Sequence, residues 1–356
     1  MSLSEIPITD IARAFATQGE PIMVSPVGKG LINDSYLVKC PVRQYLLQRI
    51  NTRVFQNPAV VMQNIARVTG HLAEKARQRY PDDWQRRVLT LVLTCEDEPM
   101  WQDGHGNCWR MYPFIENSRT LQTLNDPGKA YSAAHAFGGF VRELADLPPP
   151  KLHETIPDFH DTPARLARLE AVITADPGKR RAGAEEVIGE ILSYRNLPTA
   201  LGERQLPLHT VHNDTKINNV LFDATTGDAL CVVDLDTVMP GLAPHDFGDL
   251  VRSAASIASA DGLRLDITLY EALLRGWVDG TGEILAQDER SMLWIAPQVI
   301  SLELAIRFLT DHLEGDRYFK IDHPNHNLER AIEQLSLLNS MQAQEKSMKF
   351  AAKRAG

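Results

Sequence analysis

Alternating apolar and polar positions dominate the first third of the chain. Short stretches in which every second residue is apolar are typical of half-buried β-strands. A longer stretch has apolar residues at helical spacing, and Pro81 ends it because proline has no N–H and its ring blocks the preceding turn. The predicted elements of this part are strands at Pro21–Val27, Ser35–Cys40 and Gln44–Ile50, a helix at Pro58–Tyr80, and strands at Val88–Cys95 and Cys108–Ile115.

Beyond about residue 120 the apolar period lengthens, which predicts a mainly helical remainder with a short β insertion. The predicted helices are Ala130–Leu147, Asp161–Ala175, Ala184–Leu197, Phe247–Ala258, Leu263–Val278, Asp288–Thr310 and Asn327–Met348, and the predicted inserted strands are Leu208–His212, Val220–Phe222 and Leu230–Val233. A small β-rich part followed by a larger helical part predicts an α+β fold with two lobes, which we place at residues 1–112 and 113–356. The cleft between two such lobes is a favoured ligand site.

Composition excludes several classes of protein. Of the 356 residues, 44% are hydrophobic and 23% are charged, which is typical of a folded globular chain and not of a disordered one. The net charge of −9 disfavours nucleic-acid and anionic-membrane partners. No apolar run approaches the roughly 20 residues of a membrane span, and the N-terminus shows no secretory signal. The four scattered cysteines form no C-x-x-C pair, so we expect a cytoplasmic protein.

The densest group of candidate catalytic residues lies between residues 211 and 252. The sequence there reads V-H-N-D-T-K-I-N-N and then C-V-V-D-L-D-T-V-M-P-G. His212, Asp214 and Asn219 form the pattern H-x-D-x-x-x-x-N, and Asp234 follows at the end of an apolar strand, with Asp236 two residues later. Asp and Asn often only stabilise turns, but that explanation covers one or two of these residues and not four at this spacing.

These residue types suit phosphoryl transfer. That reaction needs a group that orients and deprotonates an acceptor hydroxyl, and oxygen ligands for the metal that bridges the nucleotide phosphates. Mg²⁺ prefers one or two carboxylates together with an amide oxygen and water. The pattern therefore predicts Asp214 as the base and Asn219 with Asp234 as the metal ligands.

The same strings resemble the catalytic core of the aminoglycoside phosphotransferase and choline kinase superfamily, and most closely that of the N-acetylhexosamine 1-kinases. The similarity extends to D-F-G-D at Asp246–Asp249 and to R-F-L-T-D-H-L-E-G-D-R-Y-F-K at Arg307–Lys320. It implies a bilobal protein-kinase-like fold and a reaction in which Mg²⁺ and ATP phosphorylate the anomeric hydroxyl of N-acetylglucosamine or N-acetylgalactosamine. It also implies that His212 supports the catalytic loop, and that Asp236 either supports the metal ligands or binds a second ion.

A glycine-containing turn between the first two strands is the candidate for phosphate binding. Glycines let backbone amides approach a phosphate closely, although a plain hairpin turn has the same appearance. Because the turn precedes the catalytic motif and is similar to that of the hexosamine kinases, we expect Gly28, Gly30 and Asn33 to bind nucleotide. The resemblance further implies that Pro113 and Phe114 lie in the connection between the lobes, beside the adenine.

The basic residue that contacts the nucleotide phosphates is expected on the third strand. Arg49 is the candidate, because its forked guanidinium suits phosphate, although a shift of one residue would place Gln48 there. In kinase-like folds the following helix usually supplies a glutamate partner, but Pro58–Gly70 contains no acid. Gln63 and Asn64 are the nearest polar substitutes.

The acceptor pocket is expected to use Asp214 together with Arg307, Asp311 and Tyr318, because a sugar needs hydrogen-bonding groups and an aromatic face. Arg307 and Asp311 stand four residues apart on one helix face, so a simple surface ion pair explains them equally well. Two other functions stay open. One is a kinase of another sugar, an amino alcohol or an aminoglycoside, and the other is a nucleotide-binding regulator without turnover, which the missing helix acid would favour.

Overall fold

The computed structural model describes residues 7–28, 32–202, 205–260 and 262–355. Strands predominate early in the chain and helices predominate later. The helices are α1 (Ile8–Arg13), α2 (Pro58–Arg79), α3 (Trp84–Arg87), α4 (Pro127–Glu143), α5 (Thr162–Ala175), α6 (Glu185–Ser193), α7 (Ala243–Ala254), α8 (Ile267–Thr281), α9 (Gln287–Met292), α10 (Ala296–Glu314), α11 (His326–Ala343) and α12 (Glu345–Ala355). The strands are β1 (Met23–Pro26), β2 (Asp34–Lys39), β3 (Gln44–Ile50), β4 (Trp101–Gln102), β5 (Cys108–Pro113), β6 (Ser118–Arg119), β7 (His209–Val211), β8 (Val220–Asp223), β9 (Ala229–Val232), β10 (Met239–Gly241), β11 (Ser256–Ser259) and β12 (Gly262–Leu265).

The N-terminal sheet is antiparallel, with the strand order β1-β2-β3-β5-β4. Because side chains alternate between the faces of a strand, its two faces contribute to different cores. Tyr45 and Leu47 pack on the side of α1, whereas Ile50 and Tyr112 pack on the side of α2. The second core also contains Leu235 from the helical part, so it joins the sheet to the segment that carries the predicted metal ligands.

The helical part is organised around the contact between α4 and α8. Gly276 lies against the backbone of α4, where a Cβ atom would come within 2.2 Å of the Tyr131 carbonyl oxygen. Gly138 makes the reciprocal approach, since a Cβ atom there would stand 2.7 Å from the Trp277 carbonyl oxygen. These glycines allow the two helices to pack backbone to backbone. In the described part of the chain, no helix is both long enough and apolar enough to cross a membrane.

Two small sheets hold the H-x-D-x-x-x-x-N segment against this helical core. Strand β7 pairs antiparallel with β10, and β8 lies between β6 and β9. The connection from β7 to β8 carries the H-x-D-x-x-x-x-N motif, and the connection from β9 to β10 carries Asp234 and Asp236. Each of the two motif segments therefore connects one of these small sheets to the other.

Several predicted elements differ from the structure. Val88–Cys95 forms only isolated bridges, at Val92 and Thr94, because β4 occupies part of the same edge of β5. The helices predicted at Phe247–Ala258 and Leu263–Val278 lose their adjoining ends to the β11–β12 hairpin.

The two longest predicted C-terminal helices are each divided. Asp288–Thr310 becomes α9 and α10, since Pro297 stands in the first turn of α10, where a missing N–H is tolerated. Asn327–Met348 becomes α11 and α12. The lobe boundary after residue 112 stays a prediction.

Candidate active site

His212 holds the catalytic loop from within the core. Its side chain is buried, and its Nε2–H donates to the Val233 carbonyl oxygen at 2.9 Å. Its Nδ1 accepts from the Asp214 backbone N–H at 3.3 Å, which requires a neutral ring. Burial lowers the pKa of His212, in agreement with that tautomer. His212 thus contacts the backbone of Asp214 from within the core.

Asp246 fixes the same loop from α7. Its carboxylate oxygens accept the backbone N–H groups of His212 at 2.8 Å and Asn213 at 2.7 Å, although burial raises the pKa of Asp246 to about 7. Asn213 adopts a left-handed φ of 64°, which a short polar side chain tolerates. Gly241 leaves room for it, since a Cβ atom there would stand 2.7 Å from the Asn213 Oδ1. The bend before Asp214 is therefore held by the Asp246 side chain of α7 and accommodated by the missing side chain of Gly241 in β10.

Asp214 is an ionised carboxylate at the edge of the site. Its Oδ2 accepts from Lys216 Nζ at 2.7 Å and from Asn219 Nδ2 at 3.0 Å. Burial alone would raise the pKa of Asp214, but Lys216 and Asn219 hold it below its usual range. The side chain is 30% exposed, so an acceptor can reach it.

Asp234 lies beside Asp214 and shares a cation with it. Its Oδ2 is 3.9 Å from Lys216 Nζ, and its backbone is left-handed, with φ of 66°. Burial, and then the negative charges of Asp236 and Asp214, raise the pKa of Asp234 to about 6, although Lys216 acts in the opposite direction. A dication would relieve this repulsion. The Asp234 carboxylate and the Asn219 amide oxygen are also donors of the type that Mg²⁺ prefers, so the residues present fit that ion.

Asp236 occupies a different place from the one expected of a metal ligand. Its Oδ2 accepts from Asn33 Nδ2 at 2.7 Å, and its Oδ1 forms an ion pair with the buried guanidinium of Arg110. Both oxygens already have partners, so Asp236 links the N-terminal sheet to the turn at residues 233–238, which carries Asp234. Of the three predicted metal ligands, Asn219 and Asp234 therefore stay predictions, while the Asp236 carboxylate is engaged within the protein.

The basic residue of the sheet that faces this turn is Arg110. Arg49, the residue predicted for the phosphates, lies on the opposite face, where its Nε donates to Asp34 at 3.0 Å and its side chain is half exposed. On the inner face, Arg110 Nε donates to Gln48 Oε1 at 3.1 Å. Sequence reasoning missed Arg110, although an arginine within the apolar strand C-W-R-M-Y-P is itself a signal of a buried ion pair.

The missing glutamate of α2 is replaced by an uncharged anchor. Asn64 is buried, and its Nδ2 donates to the carbonyl oxygens of His153 at 2.8 Å and Val238 at 3.0 Å. Its Oδ1 accepts from the His153 N–H at 3.0 Å. Gln63, the other polar substitute, is exposed. The helix needs no acid here, because Asp236 already supplies the counterion of Arg110.

The family model described as "Phosphotransferase enzyme family" matches residues 24–286, well over half of the chain. The chain belongs to this family. Similar solved structures include an aminoglycoside phosphotransferase from Alicyclobacillus acidocaldarius (TM-score 0.62, 15% identity, 96% of each chain covered). They also include a spectinomycin phosphotransferase in complex with ADP and spectinomycin (0.61, 12%, 96% of this chain and 98% of that one) and a choline kinase from Cryptosporidium parvum (0.60, 14%, 95% of each). The α+β, protein-kinase-like fold is thereby confirmed.

The residues that are predicted to bind nucleotide lie only partly within the described residues. Gly28 adopts φ of 71°, a left-handed conformation that favours glycine, while Gly30 lies outside the described residues. Asn33 is buried and bonded to Asp236, and its Oδ1 also accepts from the Asn51 N–H at 2.9 Å. Asn33 therefore positions the strand that follows the turn, and its side-chain atoms are already engaged.

Pro113 and Phe114 lie where the chain leaves the N-terminal sheet. Pro113 ends β5 opposite Tyr45, and the Phe114 N–H donates to the Gln44 carbonyl oxygen at 2.9 Å. Both are half-buried. Their placement at the exit from the sheet is compatible with the predicted connection between lobes, which stays a prediction.

Asp311 has a structural place that differs from the expected acceptor contact. It is buried, and its carboxylate accepts the backbone N–H groups of Arg317 and Tyr318 at 2.8 Å and of Phe319 at 3.0 Å. The structure gives Asp311 no ion pair with Arg307, so the surface ion pair does not explain it. Its oxygens are also already bonded to backbone N–H groups, which leaves the predicted contact with an acceptor without support. Asp311 instead fixes the segment that follows α10.

Arg307 and Tyr318 are brought together among aromatic rings. The Arg307 guanidinium carbon is 5.9 Å from the Tyr318 ring centroid and 5.6 Å from those of Phe159 and Phe319. Tyr318 is 53% exposed. Next to Phe159, His160 Nε2 contacts the Asn213 carbonyl oxygen at 3.1 Å. The cluster is thus joined to the residue that precedes Asp214.

A buried ion pair supports this connection, and sequence reasoning missed it. His160 Nδ1 lies 3.1 Å from Glu303 Oε1, and Thr162 Oγ1 donates to Glu303 Oε2 at 2.8 Å. Burial would raise the pKa of Glu303, but His160 lowers it to about 2. Burial would likewise lower the pKa of His160, but Glu303 raises it. A glutamate within the apolar helix α10 was the available signal.

Proposed function

We propose that this phosphotransferase is an ATP-dependent kinase that phosphorylates the anomeric hydroxyl of an N-acetylhexosamine, giving the sugar 1-phosphate and ADP. The observation that carries the proposal is the arrangement of Asp214, Lys216, Asn219 and Asp234. An ionised, accessible carboxylate is held by an ammonium and an amide, directly beside a carboxylate with the properties of a metal ligand. The choice of an N-acetylhexosamine rests on the likeness of residues 212–219 and 232–241 to the hexosamine 1-kinases.

Asp214 would orient the 1-hydroxyl and accept its proton as the sugar oxygen bonds to the γ-phosphorus. The bond from that phosphorus to the β–γ bridging oxygen breaks, and ADP leaves. Lys216 lies between the two carboxylates and would neutralise charge on the transferred group. When bound by Asn219 and Asp234, Mg²⁺ supplies further charge neutralisation on the phosphates. Such positioning and electrostatics supply most of the catalysis in this class of reaction.

The acceptor is proposed to rest against Tyr318 and Arg307. An exposed aromatic face suits the apolar side of a pyranose ring, and a guanidinium donates to hydroxyl or acetamido oxygens. Asp214 completes the site. Asp311 contributes only by holding the Tyr318 segment in place.

ATP is proposed to bind between the Gly28 turn and the Pro113–Phe114 connection, with the lobes divided after residue 112. Two spectinomycin phosphotransferase structures with this fold contain ADP and AMP, respectively. We also propose a cytoplasmic location, where Cys40, Cys95, Cys108 and Cys231 remain free thiols, as they are here.

An ADP-release assay with Mg-ATP tests this proposal across N-acetylglucosamine, N-acetylgalactosamine, glucose, galactose, choline and kanamycin. We expect the highest kcat/KM for an N-acetylhexosamine, and acceptor-dependent ADP release by Asp214→Asn that is about 10²- to 10⁴-fold slower. Preferential turnover of choline or kanamycin would contradict the proposed acceptor and retain the kinase chemistry. Mg-ATP binding without turnover of any acceptor would favour the regulatory alternative.

A further inference from the structure

A cavity of about 210 Å³ lies between the C-terminal half of α2, the middle of α4 and strand β9. None of the residues assigned above to catalysis, metal, nucleotide or acceptor lines it. Its wall includes Leu235, which stands between Asp234 and Asp236 in the chain. The cavity is therefore a second space, walled in part by the turn that carries the predicted metal ligand.

More than half of the lining of this cavity is apolar. The apolar lining residues include Leu72 and Ala76 of α2, Ala136 and Phe140 of α4, and Val232 of β9. Small-molecule sites in proteins commonly combine such an apolar lining with a few polar groups that fix orientation.

Cations surround the cavity in excess over acids. Its lining contains one carboxylate, Glu143, and four basic side chains, namely Lys75, Arg79, Arg87 and Arg142. That carboxylate is shared, because it lies 3.7 Å from Lys75 Nζ, 3.4 Å from Arg79 and 3.6 Å from Arg142. Carboxylates outside the lining bind Lys75 and Arg87, namely Asp146 and Asp83. Arg79 and Arg142 therefore have donor groups to spare, in a chain whose net charge is −9.

His135 also lines the cavity, and the neighbouring arginines influence its pKa. Burial, and then the positive charges of Arg142 and Arg79, lower the pKa of His135, while Asp279 acts in the opposite direction. The imidazole is neutral at neutral pH, so it offers hydrogen bonding without further charge.

We propose that this cavity is a second ligand site, which binds a small organic anion with an apolar body and a carboxylate, sulfonate or phosphate head. The body would fill the space between Ala76, Ala136 and Phe140, and the head would bind Arg79 and Arg142 at the opening. Arginine suits this task because its planar fork donates two parallel hydrogen bonds to such an anion. The site is separate from the reaction proposed above and does not depend on it.

Isothermal titration calorimetry with naphthalene-1-sulfonate tests the site, and neutral naphthalene-1-sulfonamide is the matched ligand. We expect one saturable site for the sulfonate, about tenfold weaker binding of the sulfonamide, and a similar loss of sulfonate affinity in Arg79→Gln/Arg142→Gln. Ala136→Trp, which fills the cavity, should abolish binding of both ligands. Arg168→Gln removes an exposed arginine from α5, away from the cavity, and should leave the Kd unchanged.

Three results would overturn the proposal. They are the absence of saturable sulfonate binding, an unchanged Kd in Ala136→Trp protein with the wild-type melting temperature, and displacement of the sulfonate by Mg-ATP in simple competition. If Ala136→Trp does not fold, the double arginine variant decides, because an unchanged Kd there contradicts the role of the two guanidinium groups.

Discussion

Asp214 is the residue on which the proposed reaction depends most. Replacing it with Asn keeps the shape of the side chain and its contact with Lys216 or Asn219 but removes the proton acceptor. We expect kcat to fall about 10²- to 10⁴-fold, the usual range for loss of a general base. The Kd for Mg-ATP, measured by calorimetry, should change little. Wild-type kcat in Asp214→Asn would show that another group performs this step.

Lys216 is predicted to stabilise the transition state and to influence the metal site less. Its ammonium contacts Asp214 and approaches Asp234, so Lys216→Met removes a positive charge at the place where phosphoryl charge develops. We expect kcat to fall about 10²-fold while the KM of the acceptor stays nearly constant. Steady-state kinetics with varied acceptor measures this. A rise in acceptor KM with unchanged kcat would assign Lys216 to binding.

At the level of elements, α2 is positioned by Asn64 and not by an ion pair. Asn64→Ala leaves the carbonyl oxygens of Val238 and His153 without their donor, which should lower the free energy of unfolding by about 1–3 kcal/mol. Gln63→Ala is the matched control, because that neighbouring side chain is exposed. Chemical denaturation compares the two variants. Equal losses of stability would contradict the anchoring role of Asn64.

The pair between His160 and Glu303 predicts a pH-dependent stability where the Phe159–Thr162 segment meets α10. The pKa of Glu303 is lowered from 4.5 to about 2, so its contribution is present above about pH 4.5 and lost on acidification. The pKa of His160 is raised above 6.5, so its contribution is present below that pH and lost as pH rises through the folded-state value. The pair should therefore stabilise the protein most between about pH 4.5 and 6.5.

Glu303→Gln tests this dependence. Melting temperatures measured from pH 5 to pH 8.5 should show the largest deficit of the variant near pH 5–6.5 and a smaller one at high pH, where His160 is neutral in both proteins. A deficit that grows toward alkaline pH would be the opposite of this expectation.

Elements with a strong local signal could be predicted from the sequence. β3 has the predicted bounds, and α2 ends within one residue of its prediction, because alternation and Pro81 are local properties. The β11–β12 hairpin could not be predicted because it is held by a residue that is distant in sequence. The hydroxyl of Ser336 in α11 accepts from the Leu263 N–H and donates to the Leu263 carbonyl oxygen. No pattern within residues 256–265 reveals that contact.

A network of hydrogen bonds and one buried ion pair joins the N-terminal sheet to the turn at residues 233–238, which carries Asp234. Arg110 donates a hydrogen bond to Gln48 and forms an ion pair with Asp236. Asp236 in turn accepts a hydrogen bond from Asn33. Spacing along the chain could identify the acids of the turn, but the choice between Arg49 and Arg110 depends on which face of the sheet meets the helical part. Which face meets the helical part is a tertiary property. The same is true of the partners of Asp236 and Asp311, whose carboxylates are bonded within the protein.

Asp236→Asn tests this network, because the charge of Arg110 would lose its buried counterion. Removing one partner of a buried pair costs about 3–5 kcal/mol of folding free energy. We expect a lower melting temperature and weaker Mg-ATP binding, whereas Asp34→Asn, which removes the partner of the exposed Arg49, should change neither substantially. Differential scanning calorimetry and nucleotide titration check the two variants. Similar behaviour of both would contradict the linking role of Asp236.

The proposed reaction is defined by the hydroxyl that receives the phosphoryl group. The most direct measurement is phosphorus NMR of the product formed from N-acetylglucosamine or N-acetylgalactosamine with Mg-ATP, with the coupling to the sugar protons resolved. We expect a phosphomonoester coupled to the anomeric proton, formed about 10²- to 10⁴-fold more slowly by Asp214→Asn. A phosphate coupled to the C6 protons, or phosphorylation only of a non-sugar acceptor, would contradict this expectation.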